Sequence, residues 1–315
     1  MPATIRIATR GSALALWQAN EVKSRLEQRG YTCEIVTVQS SGDVNLTQPI
    51  YALGIAGVFT KELDAALLNN DADIAVHSLK DVPTQLAQGL ALAAVLERGA
   101  HQDVAIIKRK EILNYPQSIA TIATSSLRRR AQWLAKFPKH VTVPIRGNVQ
   151  TRMRKFNEEE KTDAVIFAKA GLERMNMLPD DAVALDWMLP APAQGIVGIV
   201  CRENASAMQQ VCEAINHQPS FIAGSIERDF MKTLMGGCSV PVSALALVNE
   251  NGIEFRGAIH AFDGSRFFEV KETIGTTDWK NAGRDAALKL LKQPGAAELM
   301  EEIRNKKWSD ADTEH

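Results

Sequence analysis

Cys238 lies within Met235-Gly236-Gly237-Cys238-Ser239-Val240-Pro241. Two adjacent glycines free the backbone there, and a thiol held on such a loop can carry a group covalently. A second chemical stretch, His77-Ser78-Leu79-Lys80-Asp81-Val82-Pro83, follows the short predicted strand 73–76. Its polar side chains cannot all be buried without partners. It reads either as a solvated loop with an Asp turn before Pro83, or as a cleft edge where Lys80 binds an anion and Asp81 works beside a cationic intermediate. The third feature is arginine. Thr124-Ser125-Ser126-Leu127-Arg128-Arg129-Arg130 and Arg146-Gly147-Asn148 join predicted strands to helices, and Arg152 lies about one turn into the second of those helices. Backbone N–H groups, hydroxyls and guanidinium groups therefore converge at helix N-termini, which makes an anion site. Arginine suits bidentate carboxylate recognition, each charged hydrogen bond contributing ~1.5–3 kcal/mol. Thiol, acid and arginines together suggest an enzyme that handles a polyanion attached to itself.

Each feature also has a plainer reading. A free cysteine is most often a small buried hydrophobe. Arg130, Arg154 and Lys155 fit a solvated basic face beside Glu158, Glu159 and Glu160, whereas Arg128, Arg129 and Arg146 sit at strand–helix junctions. Arg10-Gly11-Ser12 repeats the basic residue, turn and hydroxyl, with Ser12 by itself reading as an N-cap. The segment from Ala52 to Phe59, after the polar stretch 40–48, reads as a mobile lid or as a simple loop. Nucleic acid is disfavoured as a partner: 36 Lys and Arg against 37 Asp and Glu leave a net charge of -1, and no aromatics interleave these arginines.

The 315 residues are enough for two or three domains with a substantial core. The four cysteines show no C-x-x-C spacing and no partnering histidines, so neither a metal site nor a disulfide framework is indicated and a reducing cytoplasm fits. No leader-like apolar region is expected at the N-terminus, and no run approaches the ~20 residues of a membrane helix. The chain opens strand 4–8, helix from Ser12 to Gly30, strand 32–38, then helix 59–68 and strands 73–76 and 90–95. Continuous apolar strands alternating with helices predict a mainly parallel sheet covered on both faces. The pattern restarts after Gly99 with strands 103–108, 119–124, 141–145 and 163–168 and helices from Ser126 and Asn148. Strand 196–201 can return to the first sheet, so that two crossings form a hinge. From about Ser220 the grammar changes to a helix at 221–234, alternating strands 240–248, 253–259 and 267–273, and a helix at 282–291. That is a small α+β unit with antiparallel hairpins.

Taken together, these stretches resemble the porphobilinogen deaminase family. Its N-terminal motif is matched by Ile7-Ala8-Thr9-Arg10-Gly11-Ser12 and Leu14-Ala15-Leu16-Trp17-Gln18-Ala19. Its catalytic stretch is matched by Phe59-Thr60-Lys61-Glu62-Leu63 and by 72–83. Thr124 to Arg129, Arg146 to Arg152, and Gly236 to Pro241 complete an ordered set. The resemblance implies an α/β chain. Two doubly wound periplasmic-binding-protein-like domains (1–98 with 196–217, and 99–195) flank a cleft, and a C-terminal α+β domain (218–315) carries the cysteine loop.

It also implies a dipyrromethane cofactor held by Cys238 through a thioether. Four porphobilinogen molecules are then deaminated and condensed onto it, and the linear tetrapyrrole hydroxymethylbilane is hydrolysed off. Asp81 is the implied catalytic carboxylate. Lys80, Ser126, Arg128, Arg129 and Arg146 are implied to hold the cofactor with Cys238; Arg10, Ser12, Phe59, Arg152, Arg174 and Gln194 are implied to hold substrate. A monomer, with no nucleic acid or membrane partner, is expected. Two departures stand out: Ala56 replaces the lysine of a glycine-lysine-glycine segment, and Pro190-Ala191-Pro192-Ala193-Gln194-Gly195 differs from the commoner hinge form. The competing readings are a non-catalytic two-lobed module closing on a carboxylated ligand, and a pyridoxal phosphate enzyme using Lys80. The first gives Cys238 no task, and no other feature points to the second.

Overall fold

A computed structural model of the chain describes residues 4–39, 60–115, 117–235 and 240–305. Phe59, Cys238 and the 52–59 segment with Ala56 lie outside the described residues.

Among the described residues, two five-stranded sheets and one three-stranded sheet carry the fold. The first combines β1 (Ile5–Arg10), β2 (Cys33–Val38), β3 (Ile74–Ser78), β4 (Leu90–Val95) and β10 (Val197–Arg202) in the order β2-β1-β3-β10-β4. β1 is parallel to β2 and β3, and β10 runs antiparallel between β3 and β4. The central strands β3 and β10 are buried almost throughout because both faces are covered. Ile5, Ile7, Ile74, Val76, Ile199 and Cys201 pack with Ala19, Val22 and Leu26 of α1 (Ala13–Glu27). Ala8, Ala75 and Val200 face the other way, onto Leu63 and Leu67 of α2 (Lys61–Leu68). Each fully buried Leu, Ile or Val contributes ~1.5–3 kcal/mol.

The second sheet repeats the plan with β5 (Asp103–Ile107), β6 (Thr121–Ala123), β7 (Val141–Val143), β8 (Ala164–Ala168) and β9 (Val183–Ala184) in the order β7-β6-β8-β5-β9. β5 is the reversed strand, antiparallel to β8 and β9. α3 (Leu127–Lys136) covers one face through Trp133, joined by Phe137 just past its end. α4 (Val149–Glu158) and α5 (Lys169–Arg174) cover the other through Val149, Phe156 and Leu172. In both sheets the reversed strand is the one that enters directly after a crossing, β5 from the first sheet and β10 from the second.

The two crossings run side by side, the Gly99 N–H donating to the Gly195 carbonyl at 3.0 Å. Gly195 has φ +88°, and a Cβ there would stand 2.8 Å from the Gly99 carbonyl oxygen and 2.9 Å from that of Ala100. Only glycine fits. Ala193, two residues earlier, is itself left-handed at φ 61°.

After α6 (Ser206–Glu213), the long helix α7 (Gln218–Met235) leads to a meander of β11 (Val242–Asn249), β12 (Gly252–His260) and β13 (Phe267–Ile274). Ile226, Phe230 and Leu234 of α7 pack on Val242, Phe255 and Ile259, together with α8 (Ala282–Leu291) and α9 (Ala296–Asn305). The sequence reading did not include α9, although Ala296, Leu299, Met300 and Ile303 are the buried face that its spacing writes. Arg98 pins the three sheets together. Its guanidinium meets the fully buried Glu227 carboxylate at 2.8 and 2.6 Å and the Gln194 and Ala246 carbonyls at 3.1 and 3.2 Å. Glu227 also accepts from the Ala193 N–H at 2.6 Å.

Candidate active site

Open α/β sheets present their strand carboxyl ends to ligands, and both sheets do so with charged residues. β1 ends at Arg10, beside Ser12, whose Oγ caps α1 by accepting the Ala15 N–H at 3.4 Å. β3 ends at Ser78 and passes into a single 3₁₀ turn, Leu79–Asp81. Leu79 is buried, Lys80 half-buried and Asp81 exposed. In the second sheet β6 leads to Ser126, which caps α3 by accepting the Arg129 N–H at 3.4 Å. β7 leads through Arg146 and Gly147 (φ 115°) to Asn148, which caps α4 from the Thr151 N–H at 2.8 Å. Ser125 ties these two loops, its Oγ donating to the Ile145 carbonyl and accepting the Ile145 N–H, both at 2.9 Å. Three capped helix N-termini thus accompany the arginines.

Arg128 and Arg129 are more deeply buried than the ligand-binding role expected of them suggests, and the reason is Asp103. Because β5 runs antiparallel to β8, its first residue comes to the carboxyl end of the sheet, opposite Ala168. There Asp103, at 0% exposure, pairs with Arg128 Nη2 at 2.7 Å and Arg129 Nη2 at 2.8 Å. Each arginine also donates to a carbonyl, Arg128 to Leu189 at 2.8 Å and Arg129 to Ile166 at 3.0 Å. Burial alone pushes the Asp103 carboxyl up, but Arg128, Arg129 and the Arg129 hydrogen bond outweigh it and hold it well below the usual range. The sequence reading missed Asp103. An aspartate opening an otherwise apolar strand was the available signal.

Gln194 connects this buried cluster to the other lobe. Its Nε2 donates to Asp103 Oδ1 at 3.0 Å and to the His101 carbonyl at 2.8 Å, while its Oε1 accepts from Lys80 Nζ at 3.2 Å. Lys80, Gln194, Asp103, Arg128 and Arg129 are therefore one network across the cleft. Burial, opposed by Asp81 and reinforced by Arg129, lowers the Lys80 ammonium to about 8. Its charge is lost as pH rises through that value. Affinity for a carboxylated ligand should therefore fall between about pH 7 and 9, and calorimetric titration of Lys80→Met should show that slope removed. An unchanged slope in the variant would assign it elsewhere.

Arg152 approaches from the second lobe, its guanidinium carbon 5.0 Å from the Phe167 ring centroid. Burial first, then Arg129 and Arg146, lower it to about 10, with Asp81 acting in the opposite direction. Asp81 thus feels cations from both lobes. His77, at the end of β3, is buried, its Nε2 makes no hydrogen bond, and burial with Arg10 nearby pushes it down to about 4. Arg174 stands apart from this group. Its Nη2 donates to the Gly195 carbonyl at 2.6 Å and its guanidinium lies 5.4 Å from the Trp17 ring, which places it on the hinge. Arg154 pairs with Glu158 at 3.3 Å on an exposed face, a solvated helix pair. Among the described residues no cluster of His, Cys, Asp and Glu suits a metal ion, and no helix is long and apolar enough to cross a membrane.

Comparison with known proteins bears on what this cleft does. A family model described as porphobilinogen deaminase, dipyromethane cofactor binding domain, matches residues 5–210, and one described as porphobilinogen deaminase, C-terminal domain, matches 221–292. The porphobilinogen deaminase of Syntrophomonas wolfei is 41% identical over 302 residues, covering 94% of this chain and 98% of that one. That of Geobacter sulfurreducens is 41% identical over 311 residues, covering 97% and 96%. The probable porphobilinogen deaminase of Methanocaldococcus jannaschii is 41% identical over 295 residues, covering 92% and 98%.

Proposed function

This chain belongs to the porphobilinogen deaminase family, and on that premise we propose how its own residues perform the family reaction. It is a transferase of tetrapyrrole synthesis, a hydroxymethylbilane synthase with a dipyrromethane cofactor. Porphobilinogen units are deaminated and joined head to tail on that primer, and the linear tetrapyrrole is released by water.

The observation that carries the assignment of residues is the charge balance of the cleft. Burial lowers both Lys80 and Arg152, repulsion from Arg129 adds to that lowering in each, and Asp103 is the buried counter-charge of Arg128 and Arg129. A polycarboxylate relieves that repulsion, and every pyrrole of the cofactor and substrate carries an acetate and a propionate. The residues therefore fit the cofactor. When bound, the dipyrromethane supplies the nucleophilic pyrrole carbon. Lys80, Ser126, Arg128, Arg129 and Arg146 hold its carboxylates, and attachment is through Cys238. Arg10, Ser12, Phe59, Arg152, Arg174 and Gln194 serve the incoming substrate, Arg174 and Gln194 from the hinge.

Asp81 does the chemistry. Ammonia leaves the protonated aminomethyl group of porphobilinogen with the C–N electron pair, and positive charge spreads over the substrate's methylene carbon and pyrrole nitrogen. A fixed, exposed carboxylate beside the pyrrole N–H stabilises that charge as it develops. The division into 1–98 with 196–217, 99–195 and 218–315 is supported by the three sheets and by the junction of the two family models between 210 and 221. We place the enzyme in the cytoplasm as a monomer acting without nucleic acid or membrane. The buried free thiols of Cys33, Cys201 and Cys212 agree with a reducing compartment.

Intact mass of the denatured protein, followed by peptide mapping, tests the reading. Two linked pyrrole units should add to the Cys238 peptide, and Cys238→Ser should lack them. A protein that stays unmodified after incubation with porphobilinogen overturns it in favour of a hinged carboxylate-binding module.

A further inference from the structure

The turn that carries Asp81 is held by a residue of another sheet's helix. Three carbonyls surround Asp81 in the chain, those of Leu79, Val82 and Pro83. Within the turn the Val82 N–H reaches the Leu79 carbonyl at 3.2 Å, but Pro83 has no N–H to give and the helix cannot continue. Arg228, on α7 and only 9% exposed, supplies the further donors. Its Nη1 donates to Val82 at 2.8 Å and to Leu79 at 3.3 Å, and its Nη2 donates to Pro83 at 2.7 Å. One turn earlier on the same helix face, Gly224 lets the helix lie against the turn, for a Cβ there would stand 3.3 Å from Leu79 Cδ2 and 3.1 Å from Ile196 Cδ1. The side chains of Leu79 and Val82 are buried against Ala193 and Ile196, and the Leu79 N–H donates to the Ile196 carbonyl at 2.9 Å. Glu227, the neighbour of Arg228, anchors the helix to Arg98 and to the Ala193 N–H. The turn is thus clamped from below and behind while the Asp81 carboxylate is left exposed.

We propose that Arg228 is the positioning residue for Asp81: it fixes the backbone from which the carboxylate reaches the reacting pyrrole, and never touches substrate itself. This rests on Asp81 being the catalytic carboxylate. A planar fork spans three carbonyls, whereas a lysine ammonium is a point donor on a flexible stem. Arg228→Lys keeps the charge and loses the fork. Its kcat should fall about 100-fold, the loss that a misplacement of about 1 Å produces. KM should stay within about twofold and cofactor loading by intact mass should be unchanged.

Asp81→Glu, which shifts the carboxylate by one methylene, provides the coupling test. If Arg228 acts through Asp81, the double variant is no slower than the slower single variant. Losses that multiply independently mean that Arg228 acts elsewhere and overturn the proposal. So does Arg228→Lys with full kcat at temperatures well below its thermal midpoint, since a stabilising role alone moves only the midpoint. Should Arg228→Leu fail to fold, Arg228→Lys carries the test. Asp81→Asn separates the two levels: if it turns over normally, the catalytic assignment itself falls. If it is inactive while Arg228→Lys is unimpaired, only the positioning role falls.

Discussion

Asp81→Asn should fold, accept a preassembled dipyrromethane cofactor, and lose about a thousandfold in kcat. The substitution keeps the side chain's size on a turn whose backbone is held by Arg228 and Ile196, so geometry survives and only the charge is lost. A neutral amide cannot balance the cation that forms as ammonia leaves. It also removes the anion that both Lys80 and Arg152 feel across the cleft, which adds repulsion around an already cationic site. The check is single-turnover kinetics on protein whose loading has been verified by mass. Normal turnover would take Asp81 out of the chemistry. An inactive protein that also failed to load would move its role from catalysis to assembly.

Asp103→Asn is the second large effect, and it divides stability from binding. In the cofactor-free protein the substitution leaves Arg128 and Arg129 buried without their counter-charge, and breaking such a pair costs about 3–5 kcal/mol. A polycarboxylate supplies the missing charge, so loading should restore much of the loss and widen the gap between unloaded and loaded thermal midpoints. Equal losses in the two states would show that the arginines do not turn from Asp103 to ligand. The same carboxylate makes the native protein acid-sensitive. Its folded value lies below the unfolded value near 3.9, so its contribution is complete above that pH and fades as pH falls through the folded value. Denaturant midpoints of wild type and Asp103→Asn should therefore converge in acid.

Much of the fold was legible because burial leaves a period-two or continuous mark. Ile5, Ile7, Ile74 and Val76 announce strands covered on both faces, and Ser12, Ser126 and Asn148 mark helix starts that the structure caps as the sequence indicates. Lys80 and Asp81 could be placed at a cleft edge because they follow a buried strand. Asp103 opening an apolar strand hinted at a buried charge, but nothing local indicated that its partners would be Arg128 and Arg129. That pairing depends on β5 entering its sheet antiparallel, a property of the crossing and not of any segment. Arg174 matched a substrate-binding position by motif, and the structure puts it on the Gly195 carbonyl and the Trp17 ring. Gln194 likewise reads as one polar residue among prolines, and becomes the link between Lys80 and Asp103 only when the two crossings lie side by side.

Residue types, the alternation of strands and helices, and the ordered motifs that identify the family are readable along the chain, since each is a property of neighbours. Tertiary structure alone decided which charges meet. Asp103 with Arg128 and Arg129, Glu227 with Arg98, and Arg228 with the carbonyls around Asp81 are all contacts between residues distant in sequence. Their partners are chosen by desolvation: a buried ion must find whatever counter-charge or carbonyl the packed elements bring within reach, and only the completed fold says which that is.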